Sequence, residues 1–427
     1  MLNTILPKGR QSTDWSTVKS PVVKATRQLT WFERIGRRKL VRWLGDLDHD
    51  AICFNDLTNG ETVFGGDSRE FLQADWAIVD PQFYGRLATD GSIGIAESYL
   101  RGEWHTEDLT SLLRIFCRDL HRMQTADSGL VSIGRLARRL LRRSEKNTRS
   151  GSRRHIAAHY DLSNDFFELF LDPSLMYSSA YFEHSDMTLH EASIAKLEKI
   201  CRKLHLKASD QVLEIGTGWG GFALHTAKNF DCRLTTTTIS SAQYKKAQER
   251  FRKANIDRRV TLLNDDYRDL NGKFDKLVSI EMLEAVGERY LDNYFQQCGR
   301  LLQPGGRLVM QTIVMPEQRY QSYRHSVDFI RKYIFPGGFL PSVSAIQESV
   351  GKTSNLRLQS LEDISPHYAK TLHGWRQRFL ERLNQVRALG FDDRFIRMWE
   401  YYLCYCEAAF REQAVRVVQM VWDKPKC

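Results

Sequence analysis

Through the second half of the chain, short apolar runs alternate with longer stretches whose apolar residues recur at helical spacing. Gln211–Ile215, Arg233–Thr238, Val260–Leu263, Lys273–Ile280 and Arg307–Thr312 read as strands. Phe222–Asn229, Ala242–Ala254 and Tyr290–Leu302, lying between them, read as helices. Such alternation predicts an α/β fold with a parallel, doubly wound sheet. Beyond Met315 the pattern turns mostly helical, with aromatic-rich segments at Tyr320–Phe335 and Leu372–Phe410 that suit a helical lid. The first half differs. There, strand-like runs at Ala51–Leu57 and Glu61–Phe64 precede helical segments reaching Met123, which predicts a small α+β domain. No internal repeat is visible.

Two stretches are amphipathic and basic. Trp31–Leu44 reads WFERIGRRKLVRWL, and 132–155 carries nine Arg or Lys against one Glu. In the second, Ile133, Leu136, Leu140 and Leu141 keep a helical spacing, and the Ser/Asn/Gly-rich 145–152 reads as a flexible linker. Both suit a helix lying on anionic lipid, where each basic residue near the surface contributes about 1 kcal/mol. A helix packed on its own domain is the plainer alternative. These features divide the chain into a basic segment (1–44), an N-terminal domain (45–130), a basic linker (131–154) and a catalytic domain (155–427).

Composition narrows the class. The 427 residues are 42% hydrophobic and 27% charged, inside the globular range. No apolar run is long enough to span a bilayer, and the N-terminus is too polar after Leu6 for a secretory signal. The eight cysteines show no C-x-x-C pair or His partner at zinc spacing, so no metal site is expected and free thiols in a cytoplasm fit. A net charge of +10 suits a polyanionic partner, nucleic acid or an anionic membrane, with a merely well-solvated surface as the equal alternative on composition alone.

The first strand of the α/β half runs into Glu214-Ile215-Gly216-Thr217-Gly218-Trp219-Gly220. Glycines here let the backbone turn tightly and approach a ligand that a β-carbon would exclude. The spacing is neither the G-x-G-x-x-G of dinucleotide sites nor a P-loop. An acid followed by G-x-G matches S-adenosylmethionine-dependent methyltransferases, with Glu214 toward the ligand's ammonium group. Leu302-Gln303-Pro304-Gly305-Gly306 before a β-run supports the same class. The second strand ends in Thr236–Thr238, without the usual ribose-binding acid.

Longer blocks carry a resemblance. Ala158-His159-Tyr160-Asp161-Leu162-Ser163-Asn164-Asp165-Phe166-Phe167, Met176–Phe182 (MYSSAYF), Thr238–Gln243 (TISSAQ), Phe335–Ser342 (FPGGFLPS) and Pro366–Leu372 (PHYAKTL) are similar to the cyclopropane-fatty-acyl-phospholipid synthase family, mycolic acid cyclopropane synthases included. It covers about 155–422, and 75–116 resembles the N-terminal domain of the bacterial phospholipid enzymes. The resemblance implies a Rossmann-like methyltransferase sheet with a helical lid. It implies S-adenosylmethionine held by Tyr177, Ser178, Glu214, Gly216, Gly218, Trp219, Gly220, Thr238, Gln243, Asp266 and Tyr267. It implies methyl(ene) transfer to the double bond of an unsaturated phospholipid acyl chain, ending in a cyclopropane ring, with a methyl-branched or methylene chain as the alternative. It also implies a homodimer and peripheral association with the inner leaflet of the cell membrane.

The family's base is a bound bicarbonate, held by a Glu, a His, a Tyr and backbone near a Cys. Glu284 and Tyr368 match two of these. The His is replaced by Gln311, the Cys by Ser179, and the residue after Glu284 is Ala285 rather than His. Gln still donates a hydrogen bond and Ser keeps its amide, so bicarbonate remains an expected base. Cys406 sits where the family has its C-terminal cysteine; a thiol has no obvious task in alkene methylation, and a packed or pocket-wall role is expected. A nucleic-acid substrate is not expected, because Ser279-Ile280-Glu281-Met282 stands where Asn-Pro-Pro-Tyr would be required. A non-catalytic lipid binder is argued against by the intact cofactor loop.

Overall fold

The computed structural model describes residues 27–47, 50–66, 72–119 and 162–426. The basic stretch at 131–154 and the Ala158–Asp161 opening of the family-like segment lie outside the described residues.

The N-terminal unit opens with α1 (Trp31–Gly45), whose start is fixed by a reciprocal capping box between Thr30 and Glu33. Strands β1 (Ala51–Asp56), β2 (Glu61–Gly65), β3 (Gln73–Ile78) and β4 (Trp104–His105) form one sheet in the order β2-β1-β3-β4. Helices α2 (Gln82–Asp90), α3 (Ser92–Leu100) and α4 (Leu109–Arg118) complete it. Trp76 is fully buried at the centre, with the rings of Phe54, Phe83, Trp104 and Phe116 5.2–5.8 Å away. The basic stretch at Trp31–Leu44 is helical, and its Leu40, Trp43 and Leu44 pack on this domain. Of its large apolar side chains, only Trp31 and Phe32, 58% and 45% exposed, point away, at its start.

The larger unit begins with α5 (Asn164–Phe170) and α6 (Leu189–Leu204) and then alternates. Strand β5 (Gln211–Ile215), α7 (Gly221–Asn229), β6 (Arg233–Thr237), α8 (Ser241–Lys253), β7 (Val260–Leu263), β8 (Phe274–Ile280), α9 (Leu291–Leu301) and β9 (Leu302–Val314) follow. The sheet order is β10-β11-β9-β8-β5-β6-β7, with β10 spanning Arg357–Asp363 and β11 Arg416–Asp423. The order of strand connection switches sides at β5, which pairs in parallel with β6 on one side and β8 on the other. That switch point opens a crevice at the strands' carboxyl ends, the place where doubly wound sheets bind ligands.

The sheet is α/β and Rossmann-like, but not wholly parallel as the pattern suggested. Beyond α10 (Glu317–Arg324) and α11 (Val343–Thr353), β10 and β11 add an antiparallel edge to β9. Between them run α12 (Ser365–Glu381), α13 (Leu383–Ala388) and α14 (Asp393–Arg411), which cover the crevice and pack on the N-terminal unit. Tyr99 of α3 donates to Glu400 of α14 at 2.9 Å, and Arg114 and Arg118 of α4 each donate to Glu412 at 2.6 Å. A single apolar core extends from Leu40 and Trp76 through Phe166 to Trp375 and Trp399. The two units therefore form the walls of one cavity.

Candidate active site

A cavity of about 980 Å³ begins at the end of β5. Gly216, Gly218 and Gly220 have φ of 104°, 53° and 84°, where a β-carbon is disfavoured. A β-carbon on Gly218 would meet no protein atom within 4 Å, so the space above it is open to a ligand. Gly220 does not border the cavity; a β-carbon there would lie 2.6 Å from the Phe251 ring, so packing behind the turn demands it.

Glu214, only 2% exposed, borders the cavity and accepts from the Thr236 hydroxyl at 2.6 Å. Thr236 has its single proton committed there, so Thr217 donates to Thr236 at 2.7 Å. Burial pushes the Glu214 carboxyl up to about 8, against the Thr236 bond and the nearby Lys196 charge. An ammonium group in the cavity would favour its ionised form. Lys196 is wholly buried beneath this region and donates to Ser178 Oγ at 2.8 Å. Burial lowers its pKa to about 8, opposed by Glu281, Asp172 and Glu214.

Tyr177 and Ser178, Thr238 with Gln243 in the first turn of α8, and Asp266 and Tyr267 border the same space from three different segments. Thr238 donates to Gln243 Oε1 at 3.0 Å, and Asp266 pairs with Arg268. Trp219 also lines it, its indole N–H held by Asn164 at 2.7 Å. An open glycine cradle beside a buried carboxylate and neutral polar side chains fits S-adenosylmethionine.

At the neighbouring strand end the arrangement departs from expectation. Glu281, directly after β8, accepts at Oε1 from the Ser179 amide at 2.9 Å and from Gln311 Nε2 at 2.8 Å. Its Oε2 accepts from the Tyr368 hydroxyl at 2.7 Å. These are the donors the resemblance assigns to bicarbonate, and a side chain of the protein occupies them. Bicarbonate therefore does not fit the arrangement. Ser179 and Gln311 are fully buried behind Glu281 and do not border the cavity, whereas Tyr368 does.

Glu281 has φ of 49°. The left-handed region costs a residue with a β-carbon about 1–2 kcal/mol, which the three hydrogen bonds offset. Its backbone N–H donates to the Gln311 carbonyl at 2.7 Å. Gln311 cannot turn its amide away, since its Oε1 accepts from Gln419 at 2.9 Å.

Glu284, one turn on, faces the same cavity. Its Oε1 accepts from the Ile313 amide at 2.5 Å and the Thr312 hydroxyl at 3.0 Å, while its buried Oε2 has no partner among the described residues. Burial and the Glu281 charge raise it to about 8. Burial also raises Glu281, but three donors and Lys196 favour its charged form. Of the two carboxyls, Glu281 is the one built to carry charge.

Most of the remaining lining is apolar, although Lys39, Asp90, Arg319, His325, Asp328 and Arg331 also border it. Leu40, Trp43, Ile93, Ile95, Leu113 and Phe116 supply one wall from the N-terminal unit. Phe329, Phe335, Phe339, Tyr401 and Tyr402 line it from the larger unit. Cys406 borders this part, and burial raises its thiol far enough to keep it protonated, unsuited to nucleophilic work.

The family model described as mycolic acid cyclopropane synthetase matches residues 147–420. The chain belongs to that family. It is an S-adenosylmethionine-dependent methyltransferase. Over 343 residues it is 39% identical to a tuberculostearic acid methyltransferase of Mycobacterium tuberculosis, covering 78% of this chain and 79% of the relative. Over 358 residues it is 37% identical to the cyclopropane-fatty-acyl-phospholipid synthase of Escherichia coli, covering 82% and 88%. The structure of a mycolic acid cyclopropane synthase complexed with SAH and CTAB superposes with a TM-score of 0.60 at 32% identity, over 64% of this chain and 98% of that one.

Against this family background, sequence reading missed Glu281 and Lys196. Glu281 carried one available signal: an acid at the carboxyl end of a parallel strand, three residues before Glu284 and beside the strand of the glycine loop. Lys196 lies mid-helix and looks like any solvated lysine until burial is known.

Proposed function

We propose that this methyltransferase transfers a methyl carbon to the double bond of an unsaturated acyl chain carried by a membrane phospholipid, and closes a cyclopropane ring. The observation that carries the reading is the cavity joining the glycine cradle, a half-buried pair of carboxyls and a largely apolar lining. Pockets for one small ligand span about 300–1,000 Å³, so about 980 Å³ is large enough to seat a cofactor and a length of hydrocarbon together.

When bound, S-adenosylmethionine supplies an electrophilic methyl group on a sulfonium. The chain's part is to hold that methyl near the alkene and keep water away from the cation that follows. Gly218 and Glu214 locate the cofactor end. The faces of Tyr177, Tyr402 and Phe335 suit a cationic hydrocarbon, because aromatic rings attract positive charge. Loss of a proton from the new methyl group then closes the ring.

A second reading, methylation without ring closure, is favoured by the similarity to the tuberculostearic acid methyltransferase. Mass spectrometry of lipids after incubation with labelled S-adenosylmethionine separates the two. A gain of one methylene unit with loss of the olefin signal means a ring; retained olefin means an open chain. No label in any unsaturated lipid would overturn both.

Access to lipid fits peripheral association. Among the described residues no helix is long and apolar enough to cross a membrane. Exposed Trp31 and Phe32 stand beside the exposed Arg34 and Arg38 on α1, a combination suited to an anionic surface. Sedimentation with anionic vesicles should weaken as salt rises; binding indifferent to salt would remove the electrostatic part of this reading.

A further inference from the structure

We infer that Glu281 is the chain's own proton acceptor, so that this enzyme needs no exogenous anion as base. The inference rests on the proposed alkene methylation and adds the group that ends it. Three donors from distant segments, the Ser179 amide, Gln311 Nε2 and the Tyr368 hydroxyl, converge on one side-chain carboxylate. Oε1 takes two of them, which fills its two lone-pair directions. Oε2 takes one, from Tyr368, and keeps a lone pair for a proton. The carboxylate borders the cavity between the glycine cradle and the apolar walls. Gln311 is held by Gln419 on the paired strand, so the donor set stays in place as charge moves.

The step balances without a further reactant. The alkene's π electrons form the new carbon–carbon bond while the carbon–sulfur pair departs with sulfur, leaving a carbocation. A C–H bond of the new methyl then breaks. Its electron pair closes the third side of the ring, and its proton passes to Glu281 Oε2. In the open-chain reading, an adjacent C–H pair forms a double bond and the proton has the same destination. Either way Glu281 ends as the acid and returns the proton to solvent once product leaves. Glu284 is the less suitable acceptor, because burial, the neighbouring Glu281 charge and a set of only two donors keep it already protonated near neutral pH.

The positive φ at Glu281 supplies the test, because glycine accepts that backbone and would leave the donors open. The full-length wild type, Glu281→Gly and Glu281→Gln are titrated with ¹³C-bicarbonate by NMR and assayed on vesicles of unsaturated phosphatidylglycerol with labelled S-adenosylmethionine. The wild type should neither bind bicarbonate nor slow in bicarbonate-free buffer. Glu281→Gly should bind it, lose about 100-fold or more in rate, and recover part of that rate with added bicarbonate or formate. Glu281→Gln should lose comparable activity without recovery, since its side chain still fills the space. A wild type that binds bicarbonate or needs it, or a Glu281→Gln variant of undiminished rate, would overturn the proposal. If the wild type transferred no methyl to these lipids, the substrate reading would fail. The NMR arm would still decide whether Glu281 holds the anion's place.

Discussion

Gln419 and Gln311 face each other across β11 and β9, and the side-chain amide of Gln419 donates to Gln311 Oε1 at 2.9 Å. The Gln419 Oε1 in turn accepts from Lys203 at 2.7 Å, and Lys203 also reaches Glu362. This chain decides which end of the Gln311 amide faces Glu281. Without it, a flipped Gln311 would present an oxygen to a carboxylate.

Replacing Gln419 by Leu should therefore act at a distance. Gln311 Oε1 would be left buried and unpartnered, a cost of about 1–3 kcal/mol read as a lower Tm. Turnover should fall several-fold while KM for S-adenosylmethionine stays near the wild-type value, because the cofactor cradle is untouched. A rise in that KM with unchanged kcat would show that the network serves the cofactor instead.

Gly218→Val should abolish cofactor binding, with the fold retained. The position has φ of 53° and open space above it, so the new side chain would stand in the ligand's approach path and strain the turn by about 1–2 kcal/mol. Calorimetry reads the affinity and circular dichroism the fold. Unchanged affinity would mean that the ligand lies elsewhere.

Lys196→Met should shift the pH dependence of turnover. Lys196 is buried, and its charge favours the ionised forms of Glu214 and Glu281. Removing that charge raises both carboxyl pKa values, so the acid limb of the kcat profile should move to higher pH. A lysine with only a packing role would lower Tm and leave the profile in place.

Much of this fold is legible in the chain. Strands β5, β7 and β8 are short, largely apolar runs and β6 a run of β-branched threonines, with helical stretches between most of them, and the glycine turn marks which strand end binds a ligand. Strands β10 and β11 are not legible, for opposite reasons. β10 is almost wholly exposed and shows no alternation, whereas β11 is buried on both faces around Gln419 and reads as part of a helical, aromatic region. Each becomes a strand only because β9 offers an edge to pair with. In the site, Glu214 and Gly218 announce themselves locally. Glu281 does not, since its meaning depends on residues 179, 311 and 368, which only folding brings together.

Glu284→Gln should change stability more at high pH than at low. The wild-type carboxyl is raised from 4.5 to about 8 in the folded state. Across that window the folded protein holds this proton while the unfolded chain releases it, so stability falls as pH rises. Glutamine has no proton to lose. The Tm of the variant relative to wild type should therefore climb between pH about 5 and about 8, and level off above. A constant difference would place the Glu284 pKa near its ordinary value.

The N-terminal unit should set the length of acyl chain accepted. Leu113 on α4 is buried and borders the cavity together with Phe116 and Trp43. Leu113→Trp adds bulk there and leaves the glycine cradle and Glu281 untouched. Overpacking costs about 1–3 kcal/mol, so the variant's Tm should be measured first. If it folds, KM for phospholipids with long unsaturated chains should rise several-fold more than KM for shorter ones, because the longer chain must reach further along that wall. The cofactor's affinity should not change. Equal effects on both chain lengths would mean that the hydrocarbon leaves the cavity by another route and that this wall serves packing alone.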